Sequence, residues 1–587
     1  MKVLFFSPHS ALWVHAFPEA LIAEALQDVG HEVSYITCGG LFAAGCVAMS
    51  AHGLESDAPE KAKQRVCRTC AKCSSMLRSE FKFAGDDIGN ISTPGDKTLV
   101  QEHLARITRD NYMEFAIDGV PIGRLALYEF LINHKKSALG FDDEPEWNRY
   151  RAAVENALHT FYPGRRMLDG TRPDAIVVYN ALYSINRVVC ALADQRGIPS
   201  YSLHAGGNLA HRLQTMIITK GNNFDLMHRA KMLWPDFRNR PLDAKSAERT
   251  TDHFLELLRG SSVFAYSAPL AATATGLRER FGIHKKQRVL CMTLSSPDER
   301  FAAETTGACS PSQNLLFPTQ ADWVDKLIQH ARTRPDLFLV VRVHPREFPN
   351  KREGVKSAHA HRLEATLRDL PANVAVNWPA DNISLYNLAQ ITDVFLNAWS
   401  STGKEMAMLG LPVVVYSREL PFYPSDLNYL GETHGEYFSQ IDKALVDGWR
   451  VENIRQTFRW GQLEFSHMLL DISDGYPKVA HQPRNLIQRI KGKIARTLNP
   501  FGVHLKDCRK RPKGLRAQRN IAEIFEGNLA SALDLKWFEN ASAGEKENDV
   551  LRVEFARILD ALRPSHNYSE TALITKIADF VNSQSSN

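Results

Sequence analysis

Short apolar runs alternate with amphipathic stretches along most of the chain, and this alternation predicts strands that alternate with helices. The first run, Lys2–Phe6, predicts a buried strand, and an amphipathic helix is expected from Pro18 to about Val29. Gly30 is placed to end this helix, and a second strand is predicted at Val33–Thr37. Such a strand–helix–strand opening is typical of parallel sheets covered by helices.

The same alternation recurs in two series. Residues 80–169 predict a mostly helical, aromatic-rich segment before the first series resumes. The later strands are predicted at Asp174–Tyr179, Ser200–His204, Val289–Leu294, Leu337–Val343, Val374–Val376, Val394–Leu396 and Pro412–Tyr416. The pattern predicts an α/β fold with two β/α, Rossmann-like domains facing a cleft, and a ligand is expected where the strands end.

The expected domain limits follow from these two series. An N-terminal β/α domain with a helical, cysteine-containing insertion is expected at 1–255, and a second β/α domain at 256–480. A basic and then helical C-terminal extension is expected at 481–587. With 587 residues the chain is too long for a single core, which agrees with this division.

Composition narrows the class of protein. Hydrophobic residues make up 44% and charged residues 23%, which excludes a largely disordered or fibrous chain. A formal net charge of +5 suits the handling of anionic small molecules or contact with an anionic surface, and it does not require nucleic acid.

The sequence also predicts a cytoplasmic location. No run reaches the roughly 18 consecutive apolar residues that span a membrane. The N-terminal apolar run is short and stops at Ser7-Pro8-His9, which favours a strand over a signal peptide. Nine cysteines, an odd number, in a chain without an export signal indicate a reducing compartment.

The first candidate binding motif follows the strand that is predicted at Leu337–Val343. His344, Pro345 and Arg346 are delivered at the carboxyl end of this strand. Pro345 fixes the turn, and His344 can donate a hydrogen bond to a phosphate oxygen without carrying a permanent charge. Arg346 or Arg342 adds charge-assisted contacts.

The second candidate motif lies between the strand at Val394–Leu396 and a predicted helix. Three hydroxyls and a glycine, Ser400, Ser401, Thr402 and Gly403, stand at the start of this helix, where backbone N–H groups and the helix dipole favour an anion. Glu405 lies in the first turn and is expected to accept hydrogen bonds from ribose hydroxyls.

Each motif alone has an ordinary explanation. A His-Pro pair usually forms a turn with a solvated imidazole, and a Ser-Ser-Thr-Gly segment usually caps a helix. Both motifs, however, follow strands of the same predicted β/α domain, about fifty residues apart. Their combination therefore predicts a nucleotide-sugar site, with Ser295 and Ser296 after the first strand of that domain as further donor-binding residues.

These residues resemble a known family. Val-His-Pro-Arg-Glu at 343–347 and Ser-Ser-Thr-Gly-Lys-Glu-Met-Ala-Met-Leu-Gly-Leu-Pro-Val at 400–413 look like the HP and S/T motifs of bacterial GT-B glycosyltransferases. Those enzymes build capsular polysaccharide from CMP-activated Kdo, sialic acid or related acidic sugars. The resemblance covers roughly residues 285–420 well, the first forty residues in pattern only, and the C-terminal hundred not at all.

The resemblance implies specific roles. His344 and the segment from Ser400 to Thr402 would hold the donor phosphate, Glu405 would hold the ribose, and no metal or other cofactor would be required for transfer. Many retaining GT-B enzymes carry two glutamates eight residues apart, but Asn397 stands eight residues before Glu405. This departure disfavours a retaining enzyme that uses a UDP- or GDP-sugar.

The acceptor side is expected in the N-terminal domain. A transferase that inverts the anomeric centre needs a general base beside the acceptor hydroxyl, and Asp86, Asp87 and His15 are the candidates. A surface carboxylate or a structural histidine is the simpler explanation for each of them. The remaining acceptor-side residues follow predicted strands: His9, His204, Gly206 and Gly207.

Five cysteines fall within a short segment, and four of them carry a metal hypothesis. Cys67 and Cys70 form a Cys-x-x-Cys pair, which Cys38 and Cys46 would complete as four thiolates for a structural zinc ion. The spacing between Cys38 and Cys46 is wide for a zinc ribbon. Reduced structural cysteines or a redox role therefore remain as alternatives.

A basic run precedes the C-terminal helices. Twelve Lys or Arg residues and one acid, Asp507, lie between Arg484 and Arg519. The run favours either contact with the anionic inner face of a membrane, near a lipid-linked acceptor, or a solvated surface. Few aromatic side chains accompany it, which argues against nucleic-acid binding.

Together these features predict a glycosyltransferase that moves a sugar from a nucleotide donor to a glycan or lipid-linked acceptor, with a CMP-activated acidic sugar as the preferred donor. One alternative is an enzyme that uses a UDP-sugar, either a GT-B transferase or a UDP-sugar 2-epimerase. The other is a non-catalytic nucleotide-binding component of a polysaccharide export complex.

Overall fold

A computed structural model describes residues 1–260, 266–270, 276–313, 315–350, 354–476, 514–535, 547–563 and 571–583. Most of the basic run, residues 484–513, lies outside the described residues, so its predicted contact with a membrane stays a prediction. Within the described ranges no helix is both long and apolar enough to cross a membrane.

The strands of the described residues form two six-stranded sheets. Their order is β12-β5-β4-β3-β1-β2 in the first sheet and β11-β10-β9-β6-β7-β8 in the second. The strands are β1 Lys2–Phe6, β2 Glu32–Ile36, β3 Ala175–Tyr179, β4 Ser200–Ala205, β5 Thr215–Lys220, β6 Arg288–Thr293, β7 Leu337–Arg342, β8 Val374–Asn377, β9 Val394–Asn397, β10 Val413–Val415, β11 Tyr429–Leu430 and β12 Leu470–Asp471.

Parallel pairing dominates both sheets. All pairs in the second sheet are parallel. In the first sheet only β5 runs against its neighbours β4 and β12. Strands such as β1 and β3 are apolar almost throughout because helices cover both faces of a parallel sheet. The predicted fold class, two β/α domains with a helical C-terminal portion, is confirmed.

Helices pack on both sheets and fill the segment between β2 and β3. The first helix begins at Trp13, with Pro18 inside it, and so starts earlier than the pattern predicts. The helices are α1 Trp13–Asp28, α2 Val47–Ser50, α3 Glu60–Phe81, α4 Ile88–Ile91, α5 Pro94–Arg106, α6 Ile122–Leu125, α7 Leu127–Asn133, α8 Glu144–Thr171, α9 Ser184–Asp194, α10 Asn223–Phe237, α11 Ala244–Arg259, α12 Leu277–Arg280, α13 Asp298–Thr305, α14 Gln320–Thr333, α15 Ala358–Thr366, α16 Leu385–Ala389, α17 Thr402–Met408, α18 His434–Asp447, α19 Val451–Gln462, α20 Gln518–Glu526, α21 Glu547–Leu562 and α22 Ala572–Asn582.

The C-terminal portion does not form a separate unit. β12 adds to the first sheet, although it falls within the limits expected for the second domain. Of the described residues in the expected extension 481–587, α20 packs on α1 of the first domain, whereas α21 packs on α11 and α22. Apolar faces explain this division, because Ile521 joins the core around β1 and Phe555 joins the core around β6 and β9.

The two domains contact each other directly. Helix α7 of the first domain packs on α13, which follows β6 of the second. The Trp234 indole N–H donates to Asp426 at 2.9 Å, and Lys231 donates to the carbonyl oxygen of Pro421 at 3.0 Å. These contacts place the carboxyl ends of the strands of both domains around one interdomain region.

Candidate functional site

Three neighbouring strands of the second sheet deliver the predicted donor-binding residues. β6 lies between β7 and β9, and all three strands are parallel. The loops that carry Ser295, His344 and Ser400 therefore leave the same edge of the sheet. Because neighbouring strands lie about 4.8 Å apart, the outer two loops begin roughly 10 Å from each other. This spacing suits a ligand the size of a nucleotide phosphate with its ribose.

His344 is held as a neutral hydrogen-bond donor. Its Nδ1 accepts a hydrogen bond from the backbone N–H of Arg346 at 3.2 Å, which leaves the proton of the neutral ring on Nε2. Burial, and then the charge of Arg346, lowers the pKa of His344 to about 4. The half-buried imidazole thus carries its proton on Nε2, and its predicted contact with a phosphate oxygen stays a prediction.

Arg346 does not face a ligand. Its guanidinium donates to the Asp298 carboxylate at 2.7 Å, and the two side chains are only 3% and 1% exposed. Arg346 also lies 3.4 Å from the carbonyl oxygen of Ile132, at the end of α7. The predicted donor contact of Arg346 is therefore corrected to a structural one, because the buried pair fastens the His-Pro turn to α13.

The two serines after β6 are also held within the domain. The Ser296 hydroxyl lies 2.7 Å from an Asp298 carboxylate oxygen and 2.5 Å from a Glu347 carboxylate oxygen. The backbone N–H of Ser295 donates to Gln320 at 2.7 Å, whereas its buried hydroxyl has no partner among the described residues. Ser295 therefore has a free hydroxyl, and Ser296 supports the turn.

The hydroxyl segment after β9 differs from the prediction in one respect. Helix α17 has only seven residues, so its dipole is small, and the Thr402 backbone N–H already lies 3.3 Å from the Ser400 hydroxyl oxygen. Ser400 and Thr402 hydroxyls are 3.0 Å apart. The segment therefore offers hydroxyl groups more than free backbone N–H groups.

Glu405 has two partners in the protein. It accepts hydrogen bonds from the Tyr386 hydroxyl at 3.0 Å and from the Ser401 hydroxyl at 2.6 Å. Burial raises the pKa of Glu405. Each carboxylate oxygen retains a second acceptor position, so a ribose contact is compatible with this geometry.

Gly403 is required by close packing. A Cβ at this position would overlap the Tyr423 hydroxyl and lie 2.7 Å from the Asn397 amide nitrogen. Asn397 in turn donates to the Ser400 carbonyl oxygen at 2.8 Å and to the Tyr423 hydroxyl at 3.0 Å. Because residue 403 has no side chain, the Asn397 amide can come close enough to hold the hydroxyl segment in place.

We expect Gly403→Ala to lower the free energy of unfolding by about 1–3 kcal/mol, because the added methyl overpacks the Tyr423–Asn397 contact. Gly435→Ala is the matched control: nothing lies within 4 Å of its Cβ, and this exposed helical position should be stabilised by about 0.4–1 kcal/mol. Urea unfolding of both variants measures the difference. Equal effects of the two substitutions would contradict the packing role of Gly403.

Lys404 and Glu464 link the hydroxyl segment to the first domain. Lys404 Nζ lies 2.5 Å from both Glu464 carboxylate oxygens and 5.3 Å from the centre of the Phe465 ring. Glu464 belongs to a π-helical turn, Leu463–His467, that leads into β12. A Cβ on Gly207 would lie 3.8 Å from Glu464, which places the predicted glycine loop against this turn.

The charges of two cations from different domains act on His253. Burial, followed by the charges of Lys404 and Arg212, lowers the pKa of His253 to about 3. Arg212 also donates to the carbonyl oxygen of Gly206 at 3.2 Å. Arg212, Lys404, His253 and Glu464 were not predicted from the sequence. Arg212 follows the glycine loop and Lys404 lies within the hydroxyl motif, and these positions were their only local signal; His253 and Glu464 had none.

The acceptor-side histidines line the edge of the first sheet. His204 Nδ1 lies 2.8 Å from the carbonyl oxygen of Ala205, and burial lowers the pKa of His204 to about 4. His9 is buried, and neither of its ring nitrogens has a partner among the described residues. Gly206 packs so closely on Thr215 that a side chain there would overlap the threonine hydroxyl.

His15 is the best placed of the three predicted bases. Its ring stacks on Tyr179 with 4.2 Å between centroids, its Nδ1 is buried without a partner in the described ranges, and the residue is partly exposed. Burial, followed by the charges of His204, His9 and Arg212, lowers the pKa of His15 to about 3. The imidazole is therefore neutral near pH 7 and able to accept a proton.

Asp86 and Asp87 serve the local structure. Asp87 accepts a hydrogen bond from Arg78 at 2.8 Å and another from the Thr37 hydroxyl. Asp86 is exposed and accepts from Asn90 at 2.7 Å, which lowers its pKa. Both carboxylates have partners at the end of the edge strand β2, and the role of base stays a prediction for each of the three residues.

Glu19 lies behind His15 in a small polar cavity of about 10 Å³, which is also lined by His9 and Tyr179. It is 1% exposed and lies within hydrogen-bond distance of the hydroxyls of Ser7 (2.5 Å) and Tyr35 (3.5 Å). Burial raises the pKa of this carboxyl to about 8. A protonated carboxyl therefore sits next to the proposed base.

The four cysteines of the metal hypothesis line a single cavity. Among the described residues, no group of three or more His, Cys, Asp or Glu side chains is arranged to hold a metal ion. The predicted zinc site is thus not formed as a tight four-thiolate group, and structural zinc stays a prediction.

Comparisons with known proteins do not assign a family. No family model matches the sequence, and no curated protein matches it either. Similar solved structures include the beta Kdo 2,4 transferase of KpsC from Thermosulfurimonas dismutans, with 14% identity and a TM-score of 0.31, over 55% of this chain and 87% of that one. The UDP-GlcNAc 2-epimerase from Neisseria meningitidis has 12% identity and a TM-score of 0.26, over 78% and 94%. The spinosyn rhamnosyltransferase SpnG has 14% identity and a TM-score of 0.23, over 79% and 96%. All three likenesses are too distant to assign an activity.

Proposed function

We propose that this protein is a glycosyltransferase that moves a sugar from a nucleotide donor to a hydroxyl group of a glycan or lipid-linked acceptor. One observation carries the proposal: a neutral histidine donor and a row of hydroxyls leave parallel strands on either side of β6, at the same edge of the second sheet. His344 and the segment from Ser400 to Thr402 supply these groups.

The leaving phosphate is bound by donors that are already in position. His344 Nε2–H and the Ser400–Thr402 hydroxyls donate to its oxygens, and the charge of Arg212 stabilises the negative charge that develops there. Prearranged donors lower the barrier because they need no reorganisation during the reaction.

The acceptor hydroxyl approaches from the first domain. Its oxygen forms a bond to the anomeric carbon while the bond between that carbon and the phosphate oxygen breaks. The hydroxyl proton passes to unprotonated His15; burial lowers the pKa of His15 to about 3, so the anionic donor has to raise the proton affinity of this imidazole for it to act as the base. Glu405 accepts from the ribose.

The preferred donor is a CMP-activated acidic sugar, and the product is a surface glycan. Arg212, a cation of the first domain, suits a donor that carries a carboxylate as well as a phosphate. Asn397 supports the same choice. Many retaining GT-B enzymes carry a glutamate eight residues before the one that corresponds to Glu405, whereas this protein has Asn397, which donates to the Ser400 carbonyl oxygen and holds the hydroxyl segment.

Nucleotide binding provides the first test. CMP at about 100 times its dissociation constant should add roughly 2.7 kcal/mol of apparent stability to the wild type, which a thermal-shift measurement detects readily. His344→Ala should lose most of this stabilisation because the phosphate loses its neutral donor. His361→Ala, an exposed histidine in the same domain, is the control and should respond like the wild type.

The nucleotide screen separates the alternatives. Stabilisation by UDP in place of CMP would favour a UDP-sugar transferase or a UDP-sugar 2-epimerase. CMP binding without turnover of any CMP-sugar, with or without an acceptor, would favour a non-catalytic component of an export complex. No response to CMP, CDP, UDP, GDP or ADP would refute the donor site.

A further inference from the structure

A pocket in the first domain lies beside the loop that follows β1. It is lined by His9 on this loop, Glu129 on α7 and Asn156 on α8, and it is called the polar pocket here. His9 also lines the small cavity that contains His15. The polar pocket therefore adjoins one of the predicted bases, on the side of the molecule where the acceptor is expected.

Three side chains of the polar pocket have buried atoms without hydrogen-bond partners. Among the described residues, neither ring nitrogen of His9 has a partner, and neither Asn156 Oδ1 nor Glu129 Oε2 has one. His9 and Asn156 are only 7% and 6% exposed. Buried polar groups in folded proteins are nearly always hydrogen-bonded, because an unpaired group loses its hydration without compensation. Their presence around one pocket indicates that a polar ligand supplies the missing partners.

The protein holds these side chains in place through their other atoms. Glu129 Oε1 accepts from the N–H group and the hydroxyl of Ser184, at 2.8 and 3.1 Å, at the start of α9. Asn156 Nδ2 donates to a backbone carbonyl oxygen of the loop before α2. His9 packs edge-on against the Tyr183 ring, with 5.8 Å between centroids. Each side chain is thus fixed on one side and keeps a polar atom for a ligand.

The unused atoms suit hydroxyl groups. Asn156 Oδ1 and an ionised Glu129 can only accept hydrogen bonds. Burial lowers the pKa of His9 to about 3, so its neutral ring provides one donor and one acceptor. A hydroxyl group can satisfy all of these atoms, because it both donates and accepts.

The size and the apolar lining of the polar pocket suit one sugar unit. Its volume is about 90 Å³, whereas a single water molecule needs roughly 10–15 Å³. Phe42 and Phe130 also line the pocket. Aromatic rings can pack against the C–H groups of a sugar ring while the hydroxyls at its edge reach polar side chains.

The charges of the lining disfavour an acidic sugar. The described lining contains one arginine and no lysine, and this arginine, Arg149, already lies 2.6 Å from Glu55 and 2.9 Å from Asp57. Burial raises the pKa of Glu129 to about 7. A carboxylate on the ligand would be repelled by ionised Glu129 and would lack a free countercharge in the pocket. A neutral sugar avoids both costs.

We propose that the polar pocket binds the terminal sugar of the acceptor and that this sugar is neutral. The inference rests on the proposed function, which requires an acceptor hydroxyl on the side of the first domain. Hydroxyls of the bound sugar donate to Glu129 Oε2 and Asn156 Oδ1, and a further hydroxyl exchanges a hydrogen bond with His9. The acidic sugar of the donor is therefore added to a neutral unit and not to another acidic sugar.

Pairs of sugars that differ in one group test the proposal. The methyl glycosides of glucose, galactose and mannose are compared with those of the corresponding uronic acids, in which a carboxylate replaces the C6 hydroxymethyl group. Ligand-observed NMR on the full chain, without nucleotide, measures binding. We expect at least one neutral glycoside to bind with a dissociation constant on the order of 1 mM, and its uronic acid partner to bind at least about 10-fold more weakly.

Substitution of His9 separates ligand binding from stability. His9→Phe should weaken binding of the neutral glycoside about 10-fold, while the protein remains at least as stable because no described group loses a partner. His330→Phe is the matched control: its Nε2 is also buried without a described partner, but it stacks on Phe438 in the second domain, so binding should not change. Glu129→Gln keeps an oxygen for Ser184 and should also weaken binding, which preserves the test if His9→Phe does not fold.

Three results would overturn the polar pocket as a site for a neutral sugar. These are no saturable binding of any neutral glycoside, binding of a uronic acid glycoside as tight as that of its neutral partner, and unchanged dissociation constants in both His9→Phe and Glu129→Gln. The thermal-shift response to CMP is measured on the same samples. A CMP response without sugar binding would refute the pocket alone, whereas sugar binding without a response to any nucleotide would refute the donor site and leave the pocket.

Discussion

Arg346→Met is expected to lower the free energy of unfolding by about 3–5 kcal/mol, because it leaves the Asp298 carboxylate buried without its countercharge. Asp298 is 1% exposed, and its other hydrogen-bond partner is the Ser296 hydroxyl. A hydroxyl cannot replace a guanidinium there, since an isolated buried charge costs far more than a buried polar pair.

Urea unfolding measures the loss, and an exposed ion pair provides the control. Arg418 pairs with Glu432 at 3.2 Å, but the two side chains are 64% and 52% exposed. Arg418→Met should therefore change stability by less than about 1 kcal/mol. The double variant Arg346→Met/Asp298→Leu should recover much of the loss, because it removes the stranded charge together with its partner.

The same variants distinguish the structural role of Arg346 from a ligand role. In the structural role, Arg346→Met lowers stability, and the double variant restores CMP binding along with the fold. A fully stable Arg346→Met that no longer binds CMP would contradict the buried pair and would return Arg346 to the donor site, where the sequence first placed it.

The fold was predictable because its cause is local. A parallel strand that is covered on both faces must be apolar along its length, and runs such as Val3–Phe6 and Val289–Leu294 carry this signal in consecutive residues. Turns that follow such strands are equally visible, so the positions of His344 and Ser400 at strand ends were predicted correctly.

Pairing between distant residues left no such signal. Arg346 contacts Asp298, Lys404 contacts Glu464, and β12 pairs in the first sheet although it follows the second domain along the chain. Each pairing depends on how the domains pack, which a local pattern does not encode. Arg346 was therefore assigned to the ligand, and Lys404 was overlooked although it lies inside the recognised motif.

The candidate base illustrates the same limit. Asp86 and Asp87 stand in a loop-like stretch, which gave no sign of the partners that hold them. The structure gives them Asn90, Arg78 and Thr37 as partners. His15 has no local feature that separates it from other helical histidines; its stacking on Tyr179 arises from packing between α1 and β3.

Glu19 is expected to make the folded protein less stable as the pH rises. Its pKa is about 8 in the folded state, against an ordinary value of 4.5, because the carboxyl is buried. Between these values the folded state keeps a proton that the unfolded state has lost. Stability therefore falls with increasing pH, by up to about 1.4 kcal/mol per pH unit, and the loss ends above the folded pKa.

Glu19→Gln isolates this contribution, because the amide is neutral at every pH and still accepts from the Ser7 hydroxyl. Urea unfolding from about pH 5 to pH 8 gives the free energy of unfolding of each protein. The value for Glu19→Gln minus the value for the wild type should increase by up to about 1.4 kcal/mol per pH unit. Buried histidines such as His15 and His204 have lowered pKa values and oppose this trend below their ordinary pKa of 6.5, but they cancel in the difference.

The pH dependence of the stability difference decides whether Glu19 is protonated or ionised in the folded protein, and a control variant accompanies it. Glu32→Gln, on an exposed side chain of β2, is the matched control for the chemical change itself. A flat difference for Glu19→Gln would mean that Glu19 is ionised in the folded protein. A carboxylate beside His15 would then raise the proton affinity of that imidazole and make it a stronger base. If the stability difference does change with pH, Glu19 is protonated in the folded protein and gives His15 a neutral neighbour. The proton affinity of His15 then depends on the acceptor and the departing phosphate.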